Sequence, residues 1–189
     1  MCARRAFIAS LIDRATQARR DLRILSIAAG HLREANLCAA VRRKRFGRFV
    51  ALDSDADSLA KVRESYGAFG VEPVLANVRR LIAGKLSLGE FDLVYSTGLF
   101  DYVGPAAGRR LVRTMFQHLR SGGRLLVANF LPGIRDAAYM EAFMDWQLLY
   151  RTRQEMIDLT MEIPQDEIHD ISLFTEENRN IIFVQVRRS

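Results

Sequence analysis

Two side chains and one small-residue turn stand in this chain where a nucleoside can be held. Asp53 follows the apolar run RFVAL, 23 residues after Gly30. An acid at the end of a strand can accept hydrogen bonds from both hydroxyls of a ribose. Its competing use is to cap the next helix, a job that Asp55 can also do. Ser54 sits beside it. Asn77, with Val78 after it, follows the next apolar run. Its amide both donates and accepts, which suits an adenine edge, and Asn is equally a common turn-former. Ser26, Ala28, Gly30 and His31 belong to SIAAGH, a run where a strand hands over to a helix. Small residues there let backbone approach a ligand, and Gly30 is free to take φ > 0. The amides of the following helix favour an anion.

A second constellation is FDLVYSTGLFDYV, residues 91–103. An apolar strand ends in Ser96, Thr97 and Gly98, and the turn then offers Phe100, Asp101 and Tyr102. In an α/β protein the crevice at the carboxyl ends of parallel strands is where ligands bind. Further on, Tyr139, Phe143, Trp146 and Tyr150 are spaced by 4, 3 and 4 residues, so they share one helical face. That face either packs on a core or forms one wall of a pocket. With Phe100 and Tyr102 as the opposite wall it would suit a ligand with an apolar body, and Arg135 could pair with a ligand carboxylate.

The elements that must position these residues are read from periodicity. Short apolar runs at residues 22–28, 48–52, 71–75, 91–96 and 124–130 alternate with helical patterns. That rhythm predicts βαβ units and a parallel sheet. The helices are expected at residues 6–18, 33–43, 55–69, 78–84 and 104–119, and residues 134–161 are expected to be mostly helix. Runs at 168–174 and 181–186 flank a short polar turn, with no room for a crossover helix, so these two strands should be antiparallel. No internal boundary is evident, and residues 1–189 are expected to be one domain.

Composition sets the outer limits. The chain has 189 residues, 49% hydrophobic and 26% charged, which is ordinary for a globular domain. No apolar run approaches the ~20 residues that cross a bilayer. Cys2 and Cys38 form neither a metal-ligand spacing nor a disulfide framework, so no metal is expected and a reducing cytoplasm is the expected compartment. The net charge is +6, with a cluster at Arg42, Arg43, Lys44 and Arg45. Cations at a helix end complement its dipole. Base-stacking aromatics are not interleaved there, so specific nucleic-acid binding is not expected.

The order of elements resembles the class I S-adenosyl-L-methionine (SAM)-dependent methyltransferases. The resemblance rests on the Gly30 turn, the acid after the second strand, FDLVYS as the fourth strand and SGGRLLVAN leading into the fifth, and it covers about residues 21–187. It implies a Rossmann-like sheet of seven strands, mostly parallel, with an antiparallel C-terminal hairpin and helices on both faces. The hairpin separates this fold from the nicotinamide-binding Rossmann proteins. AAGHLREA, VALDSD, GLFDYV and ANFLPGIRDAAYMEAFMDW are similar to bacterial proteins of extracellular-factor (3-hydroxypalmitic acid methyl ester) biosynthesis.

The resemblance implies SAM as cofactor, S-adenosyl-L-homocysteine as product and a small-molecule acceptor such as a hydroxy fatty acid. It also implies Gly30 near the methionine part, Asp53 on the ribose, Asn77 near the adenine, residues 96–100 lining the donor, and residues 1–20 as a lid. Residues 134–163 would flank the acceptor. The chain departs from the family's first motif. Ser26 stands where an acid is usual, and Ala28 and Leu32 stand at glycine positions, with His31, Arg33 or Glu34 as candidates to rebuild the pocket. Methyl transfer needs a general base only if the acceptor carries a proton near neutral pH. Candidates are His31, Asp101, Tyr102 and Asp145. Rival readings are an RNA or other nucleic-acid methyltransferase, which STGLF after the fourth strand argues against, and a non-catalytic SAM- or partner-binding module.

Overall fold

The computed structural model describes residues 2–134 and 148–189. Strands β1 (Arg23–Ile27), β2 (Arg48–Asp53), β3 (Val71–Leu75), β4 (Phe91–Ser96), β5 (Leu119–Phe130), β6 (Ile168–Thr175) and β7 (Ile181–Arg188) form one sheet. Their order is β3-β2-β1-β4-β5-β7-β6. The first five are parallel; β7 runs antiparallel to both β5 and β6. The chain winds outward from β1 to β3, then returns to place β4 on the other side of β1. The crevice where strand order reverses, at the carboxyl ends of β1 and β4, is the expected ligand position in such a sheet.

Both faces of the sheet are covered, which explains why its strands read as continuous apolar runs. On one face α1 (Cys2–Ala18) packs Ile8, Leu11 and Ile12 against Ile24, Leu93, Tyr95 and Leu126. The intervening residues Leu25, Val50, Val94, Leu125 and Val127 point the other way. There they meet Leu111, Val112, Met115 and Phe116 of α5 (Pro105–Gln117). The alternation is the period of two of a strand.

Three local outcomes differ from the periodicity. The helix expected over residues 33–43 is a 3-10 turn (Arg33–Leu37) and a short α2 (Ala39–Arg42), split at Cys38, whose backbone is extended. The Asp13 carboxylate of α1 explains the split. It accepts from the amides of Ala39 (3.0 Å) and Ala40 (2.7 Å) and from the Cys38 thiol, capping α2 from another element. Strand β5 begins at Leu119, five residues earlier than its apolar core suggests, with an irregular register opposite Phe91 and Leu93. In the segment expected to be mostly helical, residues 148–152 are non-helical and only α6 (Arg153–Asp158) is a described helix, opened by a Thr152–Glu155 capping box. Arg135, Tyr139, Phe143, Asp145 and Trp146 lie outside the described residues.

Helices α3 (Ala56–Tyr66) and α4 (Val78–Ile82) complete the layers. Asp55 caps α3, accepting from Asp57 and Ser58, which leaves Asp53 for another use. Among the described residues no helix is long and apolar enough to cross a membrane.

Candidate functional site

The site grows from the turn that ends β1. Ala28, Gly30 and Leu32 all adopt φ near +50° (53°, 51° and 48°). Only glycine does this without steric cost. Ala28 and Leu32 are the two positions where the resemblance implied glycine, and both hold the positive φ that glycine adopts most readily. Backbone held in such a region points to a functional turn. A methyl group added at Gly30 or Gly98 would meet nothing within 4 Å, so both glycines border open space.

That space is a cavity of about 320 Å³, lined by Ala28–Glu34 of this turn, by Thr97 and Gly98 after β4, by Ser58, and by Arg4, Arg5 and Ile8 of α1. Asp53 stands beside it. Its Oδ2 accepts from the Gly30 amide at 2.7 Å and its Oδ1 from the Asp55 amide at 2.9 Å. Each carboxylate oxygen retains a further lone pair, so the group is oriented and still able to accept from a ligand. Ser54 is exposed next to it. Asn77 is exposed, and its Oδ1 caps α4 by accepting from the Arg80 amide. Its side-chain NH2 group is left for other contacts. Val78, half-buried, is the first residue of that helix.

Ser26, expected at the cofactor, is 2% exposed and does not line the cavity. Its hydroxyl hydrogen-bonds to Tyr95, whose own hydroxyl donates to Glu34 Oε1 at 2.7 Å. Glu34 does line the cavity. Burial raises its pKa, opposed by the Tyr95 hydrogen bond and by Arg4 and Arg5. Burial and Glu34 together push the Tyr95 phenol well above its ordinary value. Hydrogen bonds thus link Ser26, at the position of the usual acid, through Tyr95 to the Glu34 carboxyl group eight residues on. Arg4 is half-buried on the opposite wall. It donates to the Thr97 carbonyl, and its guanidinium lies 5.8 Å from the Phe130 ring centroid. Burial lowers its pKa, while Asp101 and Glu34 support its charge.

Ser96 is fully buried at the end of β4, and its Oγ has no hydrogen-bond partner in the described structure. A buried hydroxyl without a partner is uncommon, and it sits directly before the cavity residues Thr97 and Gly98. The small residues, the open space, the oriented acid and this hydroxyl converge at the carboxyl ends of β1, β2 and β4.

Three candidates from the turn after β4 have other surroundings than expected. Phe100 is fully buried, packed near Gly108 of α5, and lines no described cavity. An apolar ring at that point gains more from the core than from the crevice. Asp101 is 2% exposed; it accepts from the Phe130 amide at 3.0 Å, and burial raises its pKa to about 6. It anchors the turn after β4 to β5 and is not among the residues that line the cavity. Tyr102 is exposed. His31 is exposed at the cavity mouth, its Nδ1 3.4 Å from Arg33.

Arg151 was not singled out from the sequence. It is 4% exposed and donates to the carbonyls of Phe100 and Val103 and to Asn129 Oδ1. Asn129 in turn donates to the Leu149 carbonyl at 2.6 Å. These bonds tie residues 148–151 to the turns after β4 and β5. Next to them a second cavity, about 690 Å³, lies between residues 131–134, Thr152–Arg153 and the hairpin turn 178–180. Arg153 and Arg179 give it positive charge. Among the described residues there is no cluster of metal-ligating side chains.

The strand order, the switch-point cavity and the antiparallel hairpin define the class I methyltransferase fold. The methyltransferase domain family matches residues 24–123, more than half of the chain, and the chain belongs to that family. Among solved structures, the CurJ carbon methyltransferase superposes with a TM-score of 0.76 at 11% identity over 98% of this chain and 54% of its own. A protein from Bordetella parapertussis gives 0.71 at 17% identity, over 95% and 66%. The N-methyltransferase NodS from Bradyrhizobium japonicum, solved with S-adenosylhomocysteine, gives 0.65 at 12% identity, over 95% and 85%. The chain therefore spans less than two thirds of the first two. No curated protein matches it significantly in sequence.

Proposed function

We propose that this chain is a SAM-dependent methyltransferase acting on a small molecule. The observation that carries the reading is the switch-point cavity, which has Asp53 oriented on one side and Glu34 facing Arg4 and Arg5 within it. The oriented Asp53 carboxylate receives the ribose hydroxyls. Glu34 receives an ammonium group, in place of the acid absent at Ser26, and the arginines receive a carboxylate. That pairing of opposite charges fits an amino-acid tail. Asn77 offers its amide to the adenine edge, and Gly30, Thr97 and Gly98 give backbone close approach. The bound sulfonium supplies an activated methyl carbon.

For such a displacement the protein mainly positions the acceptor and excludes water. Asp101 and Arg151 act as positioning groups that fix the turn after β4. The acceptor approaches from the carboxyl ends of β4 and β5, where the larger cavity offers Arg153 and Arg179 as anchors for an anionic group. A carboxylate acceptor, of which a hydroxy fatty acid is one example, needs no general base. If the acceptor carries a proton, His31 is the exposed candidate at the cavity mouth. NodS was solved in complex with S-adenosylhomocysteine and the CurJ protein is a carbon methyltransferase; both likenesses support the cofactor reading.

Calorimetry with S-adenosylhomocysteine tests the cofactor reading, and turnover of methyl-labelled SAM against a panel of carboxylates tests the acceptor. Micromolar binding that is lost in Asp53→Ala is the expected result. Absence of binding by the intact protein would remove the proposal.

A further inference from the structure

A third cavity, a groove, lies at the opposite edge of the sheet, between α1 and the amino ends of β4 and β5. It has a volume of about 630 Å³, within the range of small-molecule sites. Phe7, Leu11 and Ala15 of α1 form one wall, Leu22 and Leu93 contribute further apolar surface, and Arg14 and Arg124 add positive charge. From Phe7 to Ala18 the α1 wall is roughly 16 Å long at 1.5 Å per residue, so the groove is elongated.

Its charge is not balanced from within. Asp92, the carboxylate in the groove, is already engaged by Arg19 (2.8 Å), by the Arg23 amide (2.7 Å) and by Arg120 (3.5 Å). Arg14 and Arg124 are exposed and have no carboxylate partner among the described residues. Arg187 of β7 is directly opposite Arg124 in the antiparallel register, so the two project from the same sheet face. Its Nε is buried without a hydrogen-bond partner among the described residues. Like charges directly opposite across strands destabilise a sheet. Asp170, opposite Arg187 on β6, has its Oδ1 3.0 Å from His169 Nδ1.

We propose that this groove is a binding site, separate from the cofactor cavity, for an apolar chain that ends in a phosphate monoester. The chain lies along Leu11 and Ala15, and the head meets Arg14 and Arg124. Guanidinium groups pair with phosphate through parallel hydrogen bonds. Two unpaired guanidinium groups, with a third opposite, match a dianion better than a monoanion. The site is at the amino edge of the sheet, away from the turn where a methyl group would be delivered, so its ligand is an effector or an anchor and not the methyl acceptor.

Titration of the intact protein with decyl phosphate below its micelle concentration is the test. The expected result is saturable binding, at least ten-fold weaker for decanoate, decanol and inorganic phosphate. Arg14→Gln/Arg124→Gln should weaken it at least ten-fold, and Ala15→Glu, which fills the groove with an opposing charge, should abolish it. Affinity for S-adenosylhomocysteine should stay unchanged in the double variant, which separates this site from any movement of α1. Equal binding of decanol, equal binding of decanoate, indifference to the double substitution, or no binding of decyl phosphate would each overturn the proposal.

Discussion

The Asp53 carboxylate accepts a hydrogen bond from the Gly30 amide at 2.7 Å across 23 residues of sequence. This bond joins the turn after β1 to the end of β2. It lets one group fix the shape of the turn and, under the proposed cofactor reading, also receive the ribose. Asp53→Ala should therefore weaken S-adenosylhomocysteine binding by ~1.5–3 kcal/mol, the scale of a charge-assisted hydrogen bond. Calorimetry reads this directly. Unchanged affinity in a folded variant would contradict the role.

The amino-acid end of the cofactor should be read by Glu34 and the α1 arginines. In 5′-methylthioadenosine that end is missing. Glu34→Gln and Arg5→Met should each reduce affinity for S-adenosylhomocysteine by about ten-fold, or ~1.4 kcal/mol. Affinity for 5′-methylthioadenosine should hardly change. Parallel loss for both ligands would mean that these residues shape the cavity and do not contact the tail.

The strained turn gives a stability prediction. An alanine in the left-handed region costs about 1 kcal/mol relative to glycine. Ala28→Gly should leave the melting temperature unchanged or raise it slightly, because relief of strain offsets the greater freedom of the unfolded chain. Leu32→Gly relieves the same strain but removes a fully buried side chain, and should cost ~2–4 kcal/mol. A thermal shift assay on the two variants decides.

Asp101 separates a structural role from a catalytic one. Its pKa is raised by burial from 3.8 to about 6. Between those values the folded protein binds more protons than the unfolded chain, so stability falls as pH rises from about 4 to 6 and is level above. Asp101→Asn keeps an oxygen for the Phe130 amide and removes the buried charge. It should abolish this slope and be more stable at pH 7, on the order of 2–3 kcal/mol. Its methyl-transfer rate should be near that of the parent. A loss of a hundred-fold or more, with the fold intact, would restore Asp101 as a base.

Arg151→Met should be the most damaging of these changes. It leaves the Phe100 and Val103 carbonyls and Asn129 without their donor, a loss of ~3–5 kcal/mol. Chemical denaturation measures it, and a cost below 1 kcal/mol would show that the buried network is not cooperative.

By itself the sequence determined the alternation of strands and helices, the antiparallel hairpin and the acid at the end of β2. Those features are written in residues that are neighbours along the chain: apolar periods, capping residues, turn formers. It also placed the Gly30 turn, because a short run of small residues is a local signal. The tertiary structure decided which polar groups face the cavity. Tyr95 reaches Glu34 across 61 residues, Arg4 reaches Thr97 across 93, and Arg151 reaches Phe100 across 51. No periodicity encodes such pairings. The same cause buries Phe100 against α5 and Asp101 on the Phe130 amide of β5, while the neighbouring Tyr102 stays exposed. Packing against α5 and β5, which no local pattern encodes, decides which residues of a tight turn are buried.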